Sequence, residues 1–319
     1  MHSDMNAIIG KIKDEFSGLR KNIEYTEKLK NSSGLMKEDL EYFRSLPKRI
    51  LDYKTIIISL YGILENSIDK LCAEYLECLE KRILEYDFLS DIFRDNHFNY
   101  SIELINKILE KRHKKYDNID KFDVLTNLYI CIKQNEGYKI NKYAFNINTG
   151  NIGHKKICDI FSLVDINIRA ELGKRNSPSK NSELSYEWIE NLVERRNNVA
   201  HGNEVEIMNY TALNPMIDFI EKYLIDIAEI LNDNLSKLVF AYSFNKSAKL
   251  NVCKTYPTDI IEIEDGKDLN LSMQDKVLIK QPSGFFFTAN IIDMRECENN
   301  NITIRLNKNI RNNFEFCIC

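Results

Sequence analysis

Up to about residue 240, apolar positions along the chain recur at helical spacing. Ile8, Ile9, Ile12, Phe16, Leu19 and Ile23 make one stripe, which Asn31-Ser-Ser-Gly34 brings to an end. Ser45-Leu-Pro47 opens a longer pattern of Ile50, Leu51, Ile57, Ile58, Tyr61, Leu64, Ile68, Leu71, Tyr75, Leu76 and Leu79. Pro47 suits a first turn, and the breadth of the stripe predicts a central, mostly buried helix. The spacing predicts shorter helices over 101–116, 122–134, 155–166 and 185–200. A long one follows over 212–241, carrying Ile217, Ile220, Leu224, Ile227, Leu231, Leu235 and Leu238. Between them, 137–153 reads as a small hairpin or an ordered loop, and 172–185 as a polar, locally basic loop.

After Tyr242 the period changes from helical to alternating. Segments 249–254, 259–264, 275–280, 285–293, 301–307 and 314–319 are short and rich in β-branched and aromatic residues. Turn signals such as Asp265-Gly266 and Pro282-Ser-Gly284 separate them. The expected architecture is therefore mainly α: a helical bundle over 1–241, followed by a small antiparallel β-barrel-like domain over 242–319.

Composition narrows the class. Of 319 residues, 44% are apolar and 29% charged, the balance of a soluble globular protein. The net charge of −4 gives no bulk positive field toward nucleic acid. Uncharged stretches such as 55–64 and 281–292 fall well short of the ~20 residues that a membrane span needs. The first residues lack the basic and then apolar regions of a secretory signal, so the expected location is cytoplasmic, with no membrane partner. Eight cysteines include no C-x-x-C pair. No histidine stands at ligand spacing from a cysteine pair, so neither a metal nor another cofactor is expected. Cys317 and Cys319 share one face of a terminal strand by alternation.

Four of the five histidines have ordinary surroundings: His2 is terminal, His97 lies in a polar turn, His113 belongs to a basic helix end and His154 follows a glycine. His201 closes the string Glu194-Arg195-Arg196-Asn197-Asn198-Val199-Ala200-His201-Gly202. Two guanidiniums, two amides and an imidazole are thus concentrated at one helix end. Residues in a continuous helix turn by about 100° each, which puts Arg196 and His201 about 140° apart. Convergence requires a helix terminus beside them, and Gly202 is the natural residue for it.

This string resembles the signature of the HEPN superfamily, an Arg and a His separated by four to six residues. Arg196 and His201 match it with four intervening residues, and Asn197 supplies the polar residue preferred after the arginine. Arg195 also satisfies the spacing. Ser59-Leu-Tyr61-Gly-Ile-Leu64-Glu65 and Thr149-Gly150-Asn151-Ile152 resemble further segments of bacterial HEPN-like nucleases of the RiboL-PSP-HEPN type. The likeness covers roughly 53–238. It implies a metal-independent endoribonuclease that uses the RNA 2′-OH as nucleophile, with Arg196 and His201 catalytic. It also implies a homodimer whose role is a bacterial toxin or anti-phage effector, together with an antitoxin or defence-system partner protein. Arg195, Asn197, Asn198 and Glu65 are the candidates for positioning the substrate. Glu65 either orders the motif arginine or is a charge at the core edge. The alternative is a non-catalytic HEPN module for dimerisation or for binding a nucleic acid or partner.

Chemistry supports the first reading. A guanidinium grips a phosphate at two points, and histidine exchanges protons near neutral pH. Two basic clusters, Lys107 with 111–115 and Lys174, Arg175 with Lys180, are solvated faces or RNA contacts. Phe285-Phe-Phe287 is expected to turn two of its rings into the barrel core, and Trp188 to pack in the helical core.

Overall fold

A computed structural model describes residues 2–32, 34, 36–110, 116–134, 137–146, 150–175, 186–203, 206–246, 249–256, 258–269, 271–297, 300–311 and 313–318. Lys111, Arg112, His113, Lys114, Lys115, Thr149, Lys180 and Cys319 lie outside them. The described residues form a mainly helical body with an antiparallel half-barrel sheet at the C-terminal end. The helices are α1 (His2–Lys30), α2 (Lys37–Arg44), α3 (Leu46–Arg82), α4 (Asp91–Glu110), α5 (Lys121–Lys133), α6 (His154–Ser162), α7 (Ile168–Arg175), α8 (Glu187–Ala200) and α9 (Tyr210–Asn245).

Three long helices carry the core. α3 spans 37 residues and buries Ile57, Leu60, Leu64, Ile68, Leu71, Tyr75 and Leu76, among others, between α1, α8 and α9. Each such aliphatic side chain contributes roughly 1.5–3 kcal/mol on leaving water. Ser45 caps α3 by accepting the Lys48 N–H, and Pro47 sits in the first turn. Buried polar groups fix the register of these helices: Tyr75 Oη donates to Asn234 Oδ1 of α9 at 2.6 Å. At the surface Arg20 of α1 bridges Asp218 and Glu221 of α9, each at 2.6 Å.

Several elements differ from the pattern reading. α2 has no buried residue, so it leaves no apolar stripe in the sequence. α4 begins at Asp91, ten residues before the expected start, because only Phe93, His97, Ser101 and Leu104 of its polar-looking sequence face inward. His97 is therefore a fully buried side chain, not part of a polar turn. Its Nε2 accepts the Asn141 N–H at 2.9 Å, which leaves Nδ1 to carry the proton toward Tyr86 Oη at 2.8 Å. Asn141 continues the network by donating to Ser101 Oγ and to the Val124 carbonyl. This fixes the described part of 137–153 as an ordered loop with one 3-10 turn, and no strand occurs among its described residues. α7 extends helix into the first residues of the expected 172–185 loop.

The sheet comprises β1 (Val252–Tyr256), β2 (Ile260–Ile263), β3 (Lys276–Lys280), β4 (Phe286–Glu296), β5 (Ile302–Leu306) and β6 (Glu315–Ile318) in the order β1-β2-β5-β4-β3-β6. The long strand β4 pairs with β3 through its first half and with β5 through its second, which bends the sheet into a half-barrel. Just before β1, Leu250 donates its N–H to Phe316 of β6, linking the two ends of the strand order. Ile261, Ile263, Val277, Ile279, Ile291, Ile304 and Phe316 fill the concave core. Leu278, Phe286 and Cys317 point the other way and join the helical core, where the Phe286 ring meets Phe240 of α9 at 5.5 Å. The three consecutive phenylalanines thus separate: Phe285 is exposed, Phe286 faces α9 and only Phe287 packs on the sheet core. Trp188 packs, partly buried, against the helical core. Among the described residues no group of His, Cys, Asp or Glu side chains is placed to hold a metal ion, and no helix is long and apolar enough to cross a membrane.

Candidate active site

The motif occupies the C-terminal end of α8. Gly202 adopts φ +72°, the left-handed conformation that favours glycine. Its N–H donates to Val199 O and that of Asn203 to Asn198 O, the paired bonds of a Schellman stop. His201, the last half-helical residue, gives its own N–H to Asn197 O at 2.9 Å. Its imidazole is exposed and makes no hydrogen bond among the described residues. Asn198 belongs to the stop as well, since its Oδ1 accepts from Asn203 Nδ2 at 3.1 Å.

Arg196 is held on a different principle. Its guanidinium lies over the Tyr61 ring of α3, 4.7 Å from the centroid, a cation–π contact with a buried partner. Nη1 donates to Asn151 Oδ1 and to Asn197 Oδ1, both at 3.1 Å. The Tyr61 hydroxyl in turn accepts the Ile152 N–H at 2.9 Å. Burial pushes the Tyr61 phenol above its ordinary pKa, helped by the charge of Glu65 one turn on and opposed by the Ile152 N–H and Arg196. Glu65 is half-buried and makes no hydrogen bond with Arg196 among the described residues. Tyr61, Asn151-Ile152 and Arg196-Asn197 come from three distant stretches of the chain. They meet at one place.

Arg195 points elsewhere. Nε donates to Asn191 Oδ1 at 2.5 Å, while Nη1 reaches Tyr53 Oη at 2.7 Å and the Glu206 carbonyl at 3.2 Å. It ties the end of α8 to the start of α3 and to the segment leading into α9. Asn197, a candidate for positioning the substrate, turns its carbonyl oxygen to Arg196.

A family model described as RiboL-PSP-HEPN matches residues 19–233. The chain belongs to that family. No curated protein and no solved structure matches it. The RiboL-PSP-HEPN match begins within α1 and ends within α9, so it takes in only the later turns of the first helix and leaves out the sheet.

One positioning contact in this RiboL-PSP-HEPN chain left no trace in the motif. Glu190 of α8, six residues ahead of Arg196, accepts the His154 N–H at 2.8 Å and so serves the uncapped start of α6. A Cβ on Gly153 would come within 2.8 Å of the same carboxylate, so any side chain there would push Glu190 off its bond to His154. The clamp fixes the stretch that carries Asn151 and Ile152. His154 itself is buried, stacked on Tyr186 at 3.8 Å and bonded through Nδ1 to Tyr223 Oη at 2.9 Å.

Burial lowers the pKa of both His97 and His154 to about 4, and the Arg169 charge adds to the effect at His154. Both are neutral in the fold, whereas an unfolded chain protonates them below about pH 6.5. Their contribution is complete above that value and is lost as pH falls toward 4, up to roughly 3 kcal/mol per histidine. Urea midpoints are expected to fall steadily between pH 6.5 and 5, ahead of most carboxylate titration. His97→Gln should flatten that slope while lowering the midpoint at pH 7.5. A midpoint constant across this window would show that neither histidine is held neutral.

Proposed function

We propose that the chain is a metal-independent endoribonuclease in which Arg196 grips the scissile phosphate and His201 transfers protons. RiboL-PSP-HEPN membership places it among nuclease-like or nucleic-acid-related proteins. The finer reading rests on one observation above all. Arg196 is fixed through its face and through Nη1, while its Nη2 and Nε stay without a hydrogen bond among the described residues, on the helix whose stop carries an exposed His201. A pre-oriented guanidinium with donors to spare suits a phosphodiester, because little ordering remains to be done at the moment of binding.

In the proposed reaction the 2′-oxygen attacks phosphorus and the P–O5′ bond breaks, giving a 2′,3′-cyclic phosphate and a 5′-hydroxyl. One proton leaves the 2′-OH and one arrives on the 5′-oxygen. An imidazole serves each transfer, and two motifs meeting across the axis of a homodimer would supply a base and an acid together. A bacterial toxin or anti-phage effector, restrained by an antitoxin or defence partner, is the proposed cellular setting.

Purified protein incubated with end-labelled RNA in excess chelator should cleave it and leave cyclic phosphate ends. Cleavage that needs added divalent metal would overturn the metal-independent mechanism. RNA bound but uncut under all conditions would favour the binding module.

A further inference from the structure

A cavity of about 320 Å³ opens on the other flank of the motif, where the end of α1, the end of α2, the first turn of α3 and the start of α9 come together. Lys30, Arg44 and Arg49 line it against a single carboxylate, Glu27. Lys30 is already engaged: its ammonium pairs with Glu27 at 3.1 Å and lies 4.5 Å from the centre of the Tyr210 ring. The two arginines are not. Arg44 uses only Nε, toward the Lys30 carbonyl at 2.9 Å, and neither guanidinium meets a carboxylate among the described residues. In a chain whose net charge is −4, two uncompensated guanidiniums facing one hollow are a local inversion of sign.

The hollow adjoins the motif. Tyr53 lines it and accepts Arg195 Nη1 at 2.7 Å. Glu206, whose carbonyl takes the same nitrogen, directly precedes the lining residue Ile207. Arg195 thus ties the lining of the cavity to the helix whose stop carries His201.

We propose that this cavity is a second phosphate subsite, which takes a backbone phosphate of the RNA strand flanking the scissile bond, with Arg44 and Arg49 as its ligands. The proposal rests on the nuclease reading for the direction of the strand, but its binding chemistry stands alone. Single-stranded RNA releases about 0.7 counterion per phosphate neutralised. Losing that one phosphate should therefore flatten the slope of log Kd against log salt by about 0.7.

The test uses the full chain and a 2′-O-methyl oligonucleotide, which cannot be cleaved by 2′-OH attack, with affinity read by fluorescence anisotropy over a salt series. Arg44→Gln/Arg49→Gln is expected to weaken binding at least tenfold and to flatten the slope by that amount. Lys308→Gln/Arg311→Gln, two exposed cations between β5 and β6, should leave both unchanged. Unaltered affinity and slope in the arginine pair, with wild-type cleavage intact, would overturn the subsite and spare the nuclease. The expected change in binding, in a protein that never cleaves RNA, would sink the nuclease and keep the subsite. Adenosine monophosphate and inorganic phosphate form a separate arm. If either binds in the micromolar range, and only when both arginines are present, the cavity is a free-anion pocket and the strand assignment fails.

Discussion

RNA cleavage by His201→Ala is expected to fall by at least about 10²-fold, the usual span for losing a general acid or base, while the protein melts as the wild type does. The two effects separate because of how the residue is mounted. His201 contributes its backbone to the helix stop, and its exposed imidazole touches nothing that holds the fold together. Alanine keeps every backbone bond of that stop, so the change in stability should stay within about 0.5 kcal/mol, as for other surface substitutions. Cleavage at the wild-type rate by well-folded His201→Ala would remove the histidine from the mechanism. An unfolded variant would instead make it structural.

The second large effect concerns the neighbouring arginines, which the motif spacing leaves unresolved. Arg196→Lys should cut single-turnover cleavage by about 10²-fold or more, comparable to losing a preorganised donor in other active sites. An ammonium cannot lie flat on the Tyr61 ring, and it cannot offer Asn151 and a phosphate the two edges of one planar group. Arg195→Lys should change the rate little and the stability more. It loses the fork that joins Asn191, Tyr53 and the Glu206 carbonyl, at a cost of about 1–2 kcal/mol. Cleavage compared at equal folded fraction, with melting curves alongside, decides the matter. A greater rate loss in Arg195→Lys would reverse the two roles.

What the sequence discloses about this protein follows which side chains leave a period behind. α3 and α9 are legible because each keeps an apolar stripe against the same core. α2 is not, since all its side chains face water or half-face it. The start of α4 is hidden because one of its inward positions is a histidine, and a buried His97 requires Tyr86 and Asn141 from elsewhere in the chain. The six strands follow the alternation closely, yet Phe286 faces α9 because both sides of the sheet are apolar there, and a period of two cannot say which side is deeper. At the site, the residues of the motif are readable and their partners are not. Spacing brings out Arg196 and Gly202. It is silent on Glu190 and on the cavity by Arg195, which depend on helices that meet only in three dimensions.

The stop at Gly202 also sets the clock on which the site assembles. Three backbone bonds close the end of α8 around His201, at Asn197, Asn198 and Val199, so its Cα stays in place between rarer openings of the terminus. The imidazole beyond it is free to turn on the picosecond-to-nanosecond scale of an exposed side chain. In the proposed reaction an incoming strand therefore meets a helix stop that is already closed. It needs only to arrest two side-chain torsions, an entropic cost of about 0.5–1.5 kcal/mol, and the ring samples its working orientation many times during a single encounter.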